Sequence, residues 1–353
     1  MAVTNRTPYE LFSLFFDDDV VNSIVTYSNI YSAQKNRHTE ITISEIKKFF
    51  GILLLSGYNH VSRRRMYWET VSDTHNKLVS SALSRDRFEF ILSHLHCCDN
   101  NILDKKDKYA KVRPLFNQLN DKFLEFVPHS ENHSVDESMV PYFGRHSCKQ
   151  FIKGKPIRYG YKFWVGSTDK GYMTWFEPYQ GANSVISDNY KHFGLGPSVV
   201  LTYADVLLSS GVFPYHIFFD NFFTTVPLLD LLSEKGIRGT GTVRENRMSK
   251  CPLETKTMVK KRKRGYFEYK STEDHRIVVT TWNDNNIVNM ASNAEKVIPP
   301  KKVQRYSQKE KKKISIDQPA LFSVYNAHMG GVDRGDQNIS LYRREVHLSE
   351  FGQ

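Results

Sequence analysis

Tyr215-His216-Ile217-Phe218-Phe219-Asp220-Asn221-Phe222-Phe223-Thr224-Thr225 decides the fold. Tyr215 to Phe219 is a short apolar run rich in β-forming residues and reads as a buried strand. It ends in a carboxylate, Asp220. The period then changes: Thr225 to Lys235 reads as a helix stopped by Gly236, and Ile237 to Val243 as another strand. Upstream, Ser198 to Ser210 reads as a helix closed by Gly211. Ser134 to Tyr142 is extended, and Tyr161 to Ser167 with Tyr172 to Tyr179 forms a hairpin around Asp169-Lys170-Gly171. Strands followed by helices on a central sheet describe an α/β layer architecture.

Ahead of this region the texture is helical. Thr7-Pro8 opens a helix in the cap-then-proline order, and Ser44 is placed to cap another that runs to Ser56 and stops at Gly57. Ser84 to His96 and Val112 to Val127 carry apolar residues at helical spacing. Arg63-Arg64-Arg65 is either a solvated face or a DNA contact. From Glu245 to Pro319 the chain turns basic, with Lys260-Lys261-Arg262-Lys263-Arg264, Lys301-Lys302 and Lys311-Lys312-Lys313. Strand-like pieces within it, Gly265 to Lys270, Ile277 to Trp282 and Ile287 to Ala291, predict a small β unit forming a lobe of its own. Ala320 to His328 leads through Gly330-Gly331 into a final helix.

A chain of 353 residues is too long for one ordinary core. With 40% hydrophobic and 13% aromatic residues it is not a disordered protein. Its 49 Lys and Arg against 38 Asp and Glu give a net charge of +11, which favours a polyanionic partner, although a merely soluble basic protein has the same balance. The four cysteines, Cys97, Cys98, Cys148 and Cys251, make no C-x-x-C pair, so no zinc site is expected and a reducing compartment suits them. Met1 to Glu10 lacks the apolar core of a signal peptide, and no apolar run approaches the ~18 residues of a membrane helix. A cytosolic or nuclear protein that avoids membranes is expected.

Three acidic positions share a context. Asp136 lies on an extended segment, Asp220 ends the apolar strand, and Asp333 opens the last helix. A carboxylate at the end of a buried strand projects where α/β proteins place ligands. Three of them converging would repel unless cations joined them, and hard divalent ions, Mg²⁺ above all, suit such oxygen ligands. Two ions about 4 Å apart can activate a hydroxyl and stabilise a leaving oxygen in attack on phosphate. Singly, each residue has a plainer reading: a strand-edge Asp, a cap for the next helix, an Asp in a first helical turn. Arg145, Lys149, Lys153, Lys155 and Arg158 follow Asp136 closely and are placed to hold a phosphate, or are solvated strand-edge charges. Lys260, Lys261, Arg262, Lys263 and Arg264 read as a nuclear-localisation run, a phosphate-contacting loop, or both.

Val135-Asp136-Glu137 with Pro141-Tyr142-Phe143-Gly144-Arg145, Phe219-Asp220-Asn221-Phe222-Phe223-Thr224-Thr225, and Gly330-Gly331-Val332-Asp333 with Asp336-Gln337 resemble, in order, the catalytic segments of the piggyBac transposase family. Gly154-Lys155-Pro156-Ile157-Arg158-Tyr159-Gly160-Tyr161-Lys162 and Trp282-Asn283-Asp284 are similar too. The resemblance runs from about Thr7 to Tyr342. It implies an α/β fold with a ribonuclease-H-like catalytic core, a mixed sheet with helices, joined to a helical N-terminal domain and an inserted small β unit. The implied division is 1–130 for the first half of a helical dimerisation and DNA-binding domain, 131–244 for the core, 245–319 for the basic insertion, 320–343 for the return to the core, and 344–353 for an atypical tail.

On that pattern Asp136, Asp220 and Asp333 are catalytic and hold two Mg²⁺ ions, with Asp336 as an accessory ligand on the same helix face, and Asn221 joins the basic residues as a DNA contact. The implied activity is cleavage and transfer of DNA strands at transposon ends and TTAA targets. The implied partners are double-stranded DNA and a second copy, in the nucleus. The alternative is a domesticated, non-catalytic DNA-binding protein derived from a transposase. Glu345 to Gln353 departs from the family's basic, aromatic continuation and zinc module, so a shortened C-terminus and weak activity of this chain alone are expected.

Overall fold

The computed structural model describes residues 6–181, 184 and 186–342. Its first part is a helical unit: α1 (Pro8–Phe15), α2 (Asp18–Gln34), α3 (Ile43–Ser56), α4 (Lys77–Ala82), α5 (Arg85–His94) and α6 (Arg113–Glu125). Side-chain caps start five of these helices. Thr7 and Thr42 make reciprocal capping boxes with Glu10 and Glu45, and Asp17, Asn76 and Ser84 cap α2, α4 and α5. The cap of α3 is therefore Thr42, not Ser44 as the sequence suggested; Glu45 three residues on is the reason. Val20, Ile24, Ile46, Phe49, Tyr67, Phe88 and Ile91 close the core of this unit.

α6 meets α1 through Phe123 and Phe15 and also covers the sheet that follows. Its Asn120 donates to the carbonyl of Phe176 and accepts from the Phe176 amide, both at 2.9 Å. Phe116, Leu119 and Phe123 pack over Val165 and Phe176. Thus α6, assigned by sequence to the helical half, serves as a layer of the core.

The core contains β1 (Asn132–Pro141), β2 (Lys149–Phe151), β3 (Tyr159–Thr168), β4 (Met173–Pro178), α7 (Leu195–Ser209), β5 (His216–Phe219), α8 (Val226–Glu234) and β6 (Arg238–Thr242). β4 and β1 flank β3 antiparallel, while β1, β5 and β6 run parallel. The order β4-β3-β1-β5-β6 is ribonuclease-H-like, as expected. The buried run Ile217-Phe218-Phe219 forms the central strand β5, with both faces covered. One face packs on α7 and α8 through Val199, Tyr203, Leu228 and Leu232.

The segment after β6 does not form a lobe of its own. Following the short α9 (Lys256–Val259), strands β7 (Phe267–Ser271), β8 (Val278–Asn283) and β9 (Ile287–Ser292) join the sheet, because β9 pairs antiparallel with β6. They extend the sheet beyond its end and leave its middle intact. Only β10 (Lys301–Ser307) and β11 (Lys312–Gln318) make a separate two-stranded ribbon. The chain then returns through α10 (Ala320–His328) and α11 (Gly331–Ser340). No described helix is long and apolar enough to cross a membrane. The expected atypical tail, 344–353, lies outside the described residues.

Candidate active site

β1 and β5 are neighbours in parallel, with Val135 opposite Phe219. The next residue in each chain segment is an aspartate, so Asp136 and Asp220 stand side by side where β5 ends and β1 runs on. Ser134, Asp136 and Ser138 alternate onto one face of β1. α11 lies along that face. The Val332 amide donates to Ser134 Oγ at 3.3 Å, and Ser138 Oγ donates to Asp336 Oδ1 at 2.5 Å, one helical turn later. Close approach is possible because residue 331 is glycine: a Cβ there would lie 2.3 Å from the Thr168 carbonyl oxygen and 2.5 Å from Ser134 Oγ. Asp333 is thereby delivered in the first turn of α11, exposed, between those two anchors.

Electrostatics bind these positions together. Burial pushes the Asp136 carboxyl up to about 7, and the charges of Glu137 and Asp220 add to the rise; Lys155 and the Glu137 amide, 2.8 Å from Asp136 Oδ1, oppose it. Burial also raises Asp220, against the Phe222 amide that donates to its Oδ1 at 2.7 Å and against Arg244. Burial works against the Lys155 ammonium, but Asp136, Glu137 and Asp333 outweigh it and its pKa rises. Lys155 is thus the group that feels both the strand carboxylates and the helix carboxylate, and its Nζ lies 3.5 Å from Glu137 Oε1.

Among the described residues no three His, Cys, Asp or Glu side chains are grouped closely enough to hold a metal ion. The donor chemistry nevertheless fits a hard cation. Asp136 and Asp220 are adjacent, oxygen-bearing, and both raised in pKa by burial that local cations do not offset. Asp136 and Asp220 are therefore brought together, and Asp336 reaches the same strand through Ser138, while Asp333, exposed in the first turn of α11, is linked to them through its charge on Lys155.

The basic residues divide. Arg145, Lys153 and Arg158 are exposed around β2. Lys149 instead donates to the carbonyls of Phe143 and Gly144, both at 3.2 Å, and so fastens its own loop. The side-chain oxygen of Asn221 accepts from Arg244 Nε at 2.8 Å. Lys260, Lys261 and Lys263 are exposed, whereas Arg262 pairs with Glu254 and Arg264 with Asp284. Sequence reasoning gave no role to Glu137, Arg244 or Tyr325. The Tyr325 phenol on α10 is raised by burial and, to a lesser extent, by the Asp220 and Asp136 charges, against a hydrogen bond with Thr242. Arg244 had a usable signal, since it follows the third parallel strand as Asn221 follows the second. A lone tyrosine in an apolar helix has none.

A family model described as "Transposase IS4" matches residues 7–350. Human PiggyBac transposable element-derived protein 3 is 50% identical over 341 residues, covering 97% of this chain and 57% of that protein. Human PiggyBac transposable element-derived protein 2 is 46% identical over 340 residues, covering 96% and 57%. The chain thus spans 57% of the length of these curated relatives. A solved structure, the "Cryo-EM structure of piggyBac transposase synaptic complex with hairpin DNA", matches with a TM-score of 0.76 at 23% identity, covering 96% of this chain and 69% of that one. At that identity the likeness speaks for the fold, and it agrees with the strand order described above. With the sequence match running almost end to end, the chain belongs to the piggyBac-type DDE transposase family.

Proposed function

We propose that this chain carries the DNA-binding and strand-cleaving centre of a piggyBac-type transposase, acting at transposon ends and TTAA targets. The observation that carries this reading is the pairing of Asp136 with Asp220, one residue beyond the Val135–Phe219 register of two parallel strands, each carboxyl raised in pKa by burial. Asp136, Asp220 and Asp333, with Asp336 as accessory, would hold two Mg²⁺ ions, which when bound supply an activated hydroxyl and a stabilised leaving oxygen for attack on phosphorus. The chain's own residues prepare the place. The Phe222 amide and Ser138 orient Asp220 and Asp336. Lys155 balances charge between β1 and α11, and Asn221 aims the Arg244 guanidinium. Arg145, Lys153 and Arg158 are free to meet phosphates beside β2. A homodimer in the nucleus, imported by the Lys260 to Arg264 run, belongs to the same reading.

A second reading, a domesticated DNA-binding protein without catalysis, is favoured by one observation: among the described residues no three-membered ligand group is assembled. One experiment separates the two. The purified chain is incubated with a duplex bearing a central TTAA, with Mg²⁺ or EDTA. Mg²⁺-dependent nicking is expected, reduced about 100-fold or more, some 3 kcal/mol of barrier, by Asp136→Asn or Asp220→Asn with DNA binding retained. Binding without nicking in any metal supports the second reading.

A further inference from the structure

The lysine runs at 301–302 and 311–313 have no part in the acidic centre. They lie on the β10–β11 ribbon, whose register pairs Lys302 with Asp317, Gln304 with Ser315 and Tyr306 with Lys313. Val303, Ile314 and Ile316 turn inward onto Trp282, Leu321 and Phe322. Because strand side chains alternate, Lys302, Gln304, Tyr306, Lys313 and Ser315 stand on the other face, and all five are exposed. The inner side is fastened at several points. Asp284, in the β8–β9 turn, accepts from Arg264 Nε and from Arg305 Nε, both at 2.9 Å. Trp282 Nε1 donates to the Asp317 carbonyl at 2.8 Å, and Arg264 Nη1 to the Tyr306 carbonyl at 2.8 Å. The ribbon is therefore a braced arm. Trp282 also meets Phe322 of α10, ring centroids 5.0 Å apart, so the arm is seated on the helix that leads to Asp333.

Charge on the arm is sorted along its length. Lys302 pairs with Asp317 at 2.7 Å and Lys312 with Glu310 at 3.4 Å. Lys309, Lys311 and Lys313, at and beside the tip, are exposed and have no ion pair among the described residues. Lys311 helps close the turn at a φ of 49°, a left-handed backbone that glycine adopts more readily. Gln304 and Ser315 face each other across the middle, uncharged and able both to donate and to accept. Neutral hydrogen-bonding groups at the centre and free lysines towards one end suit duplex DNA. The major groove admits a two-stranded ribbon; amides and hydroxyls meet base edges there, and lysines meet phosphates. A protein partner would call for apolar anchors, and of the five outward residues only Tyr306 could serve as one.

We propose that the outer face of β10–β11 enters the major groove of duplex DNA, with Gln304 and Ser315 on base edges and Lys309, Lys311 and Lys313 on phosphates. This rests on the DNA-binding part of the reading above and needs no cleavage. The test uses the whole chain as wild type, as the triple variant Lys309→Gln, Lys311→Gly, Lys313→Gln, and as the double variant Gln304→Ala, Ser315→Ala. Each is titrated in EDTA across a salt series with a duplex bearing a central TTAA, and each is used to select from a pool of duplexes with randomised flanks beside TTAA. Loss of three phosphate contacts should make the log–log salt slope of the triple variant shallower by about 2.7. Its melting temperature should not fall, since the charges are exposed and glycine suits the backbone at 311. The double variant should keep the wild-type slope and lose, about tenfold, a flank preference that wild type shows. A triple variant with the wild-type slope overturns the proposal. So does a double variant that keeps every flank preference, or a wild type that has none, because the ribbon then lies along the backbone and not in the groove. If wild type binds no DNA, the underlying reading falls too; if it binds with a flank preference and both variants match it, this inference alone falls.

Discussion

Glu45 shows how much one carboxylate can hold at the start of a helix. Its Oε2 accepts from the Thr42 amide at 3.0 Å, and its Oε1 from Arg87 Nε of α5 at 2.6 Å. Arg87, the largest influence, together with Thr42 lowers its carboxyl to about 2 against a burial cost. Because the folded-state pKa lies below the unfolded one, the stabilisation is full above about 4.5 and is lost as pH falls through about 2. Glu45→Gln should therefore cost about 1–3 kcal/mol at neutral pH. Urea melts of the two proteins should converge between pH 4.5 and 2; a gap that stays constant would contradict this origin. The same scale explains what the sequence revealed of the site. Asp220 stood out because it ends an apolar strand, whereas Asp136, inside an extended segment, was picked out by the resemblance of Val135-Asp136-Glu137 to the family's segment. Tyr325 was not visible, since its nearness to those carboxylates exists only once α10 packs. Lys149 and Arg264 misled in the other direction: in sequence they look free for phosphate, but backbone carbonyls and Asp284 occupy them.

At the level of elements, α11 is the part on which the third aspartate depends. Its first turn meets the Thr168 carbonyl of β3 and the Ser134 and Ser167 hydroxyls at Gly331, and the carbonyl cannot yield. Gly331→Ala should destabilise the protein by about 1–3 kcal/mol and push the helix off β1. Mg²⁺-dependent nicking should fall further than the melting temperature alone explains. An alanine variant with wild-type stability and activity would show that α11 can shift without consequence. The helices with capping signals and clear apolar spacing, α1, α3, α5 and α6, could be read before folding. α2 could not: Val20, Val21 and Ile24 give way to Ser28 and Ser32 on its buried side, and those serines are satisfied by the His96 amide and the Arg37 carbonyl. Its inward face is half polar, so apolar periodicity fades. The strands β7 to β9 were legible as strands but not in their pairing, because composition marks a basic segment and says nothing about which ladder it joins.

Across the whole molecule the surplus of positive charge is unevenly available. Of the basic run before β7, Lys260, Lys261 and Lys263 face solvent, while Arg262 and Arg264 are committed to Glu254 and Asp284. Changing the three lysines to glutamine should weaken DNA binding, make its salt slope shallower by up to about 3, and leave the melting temperature nearly unchanged. Arg264→Gln should do the reverse, lowering the melting temperature with little change in slope. The joining of β9 to β6 has a separate consequence, for solubility. Without it, β6 would present a row of unpaired amides and carbonyls, the template on which chains add to one another. The strand now outermost on that side, β7, is five residues long and carries Glu268 and Lys270, a poor surface for such growth. Removing residues 245–319 and closing the gap with a Gly/Ser linker should therefore yield large assemblies in light scattering even in the absence of DNA. A monodisperse deletion protein would mean that β6 needs no such guard.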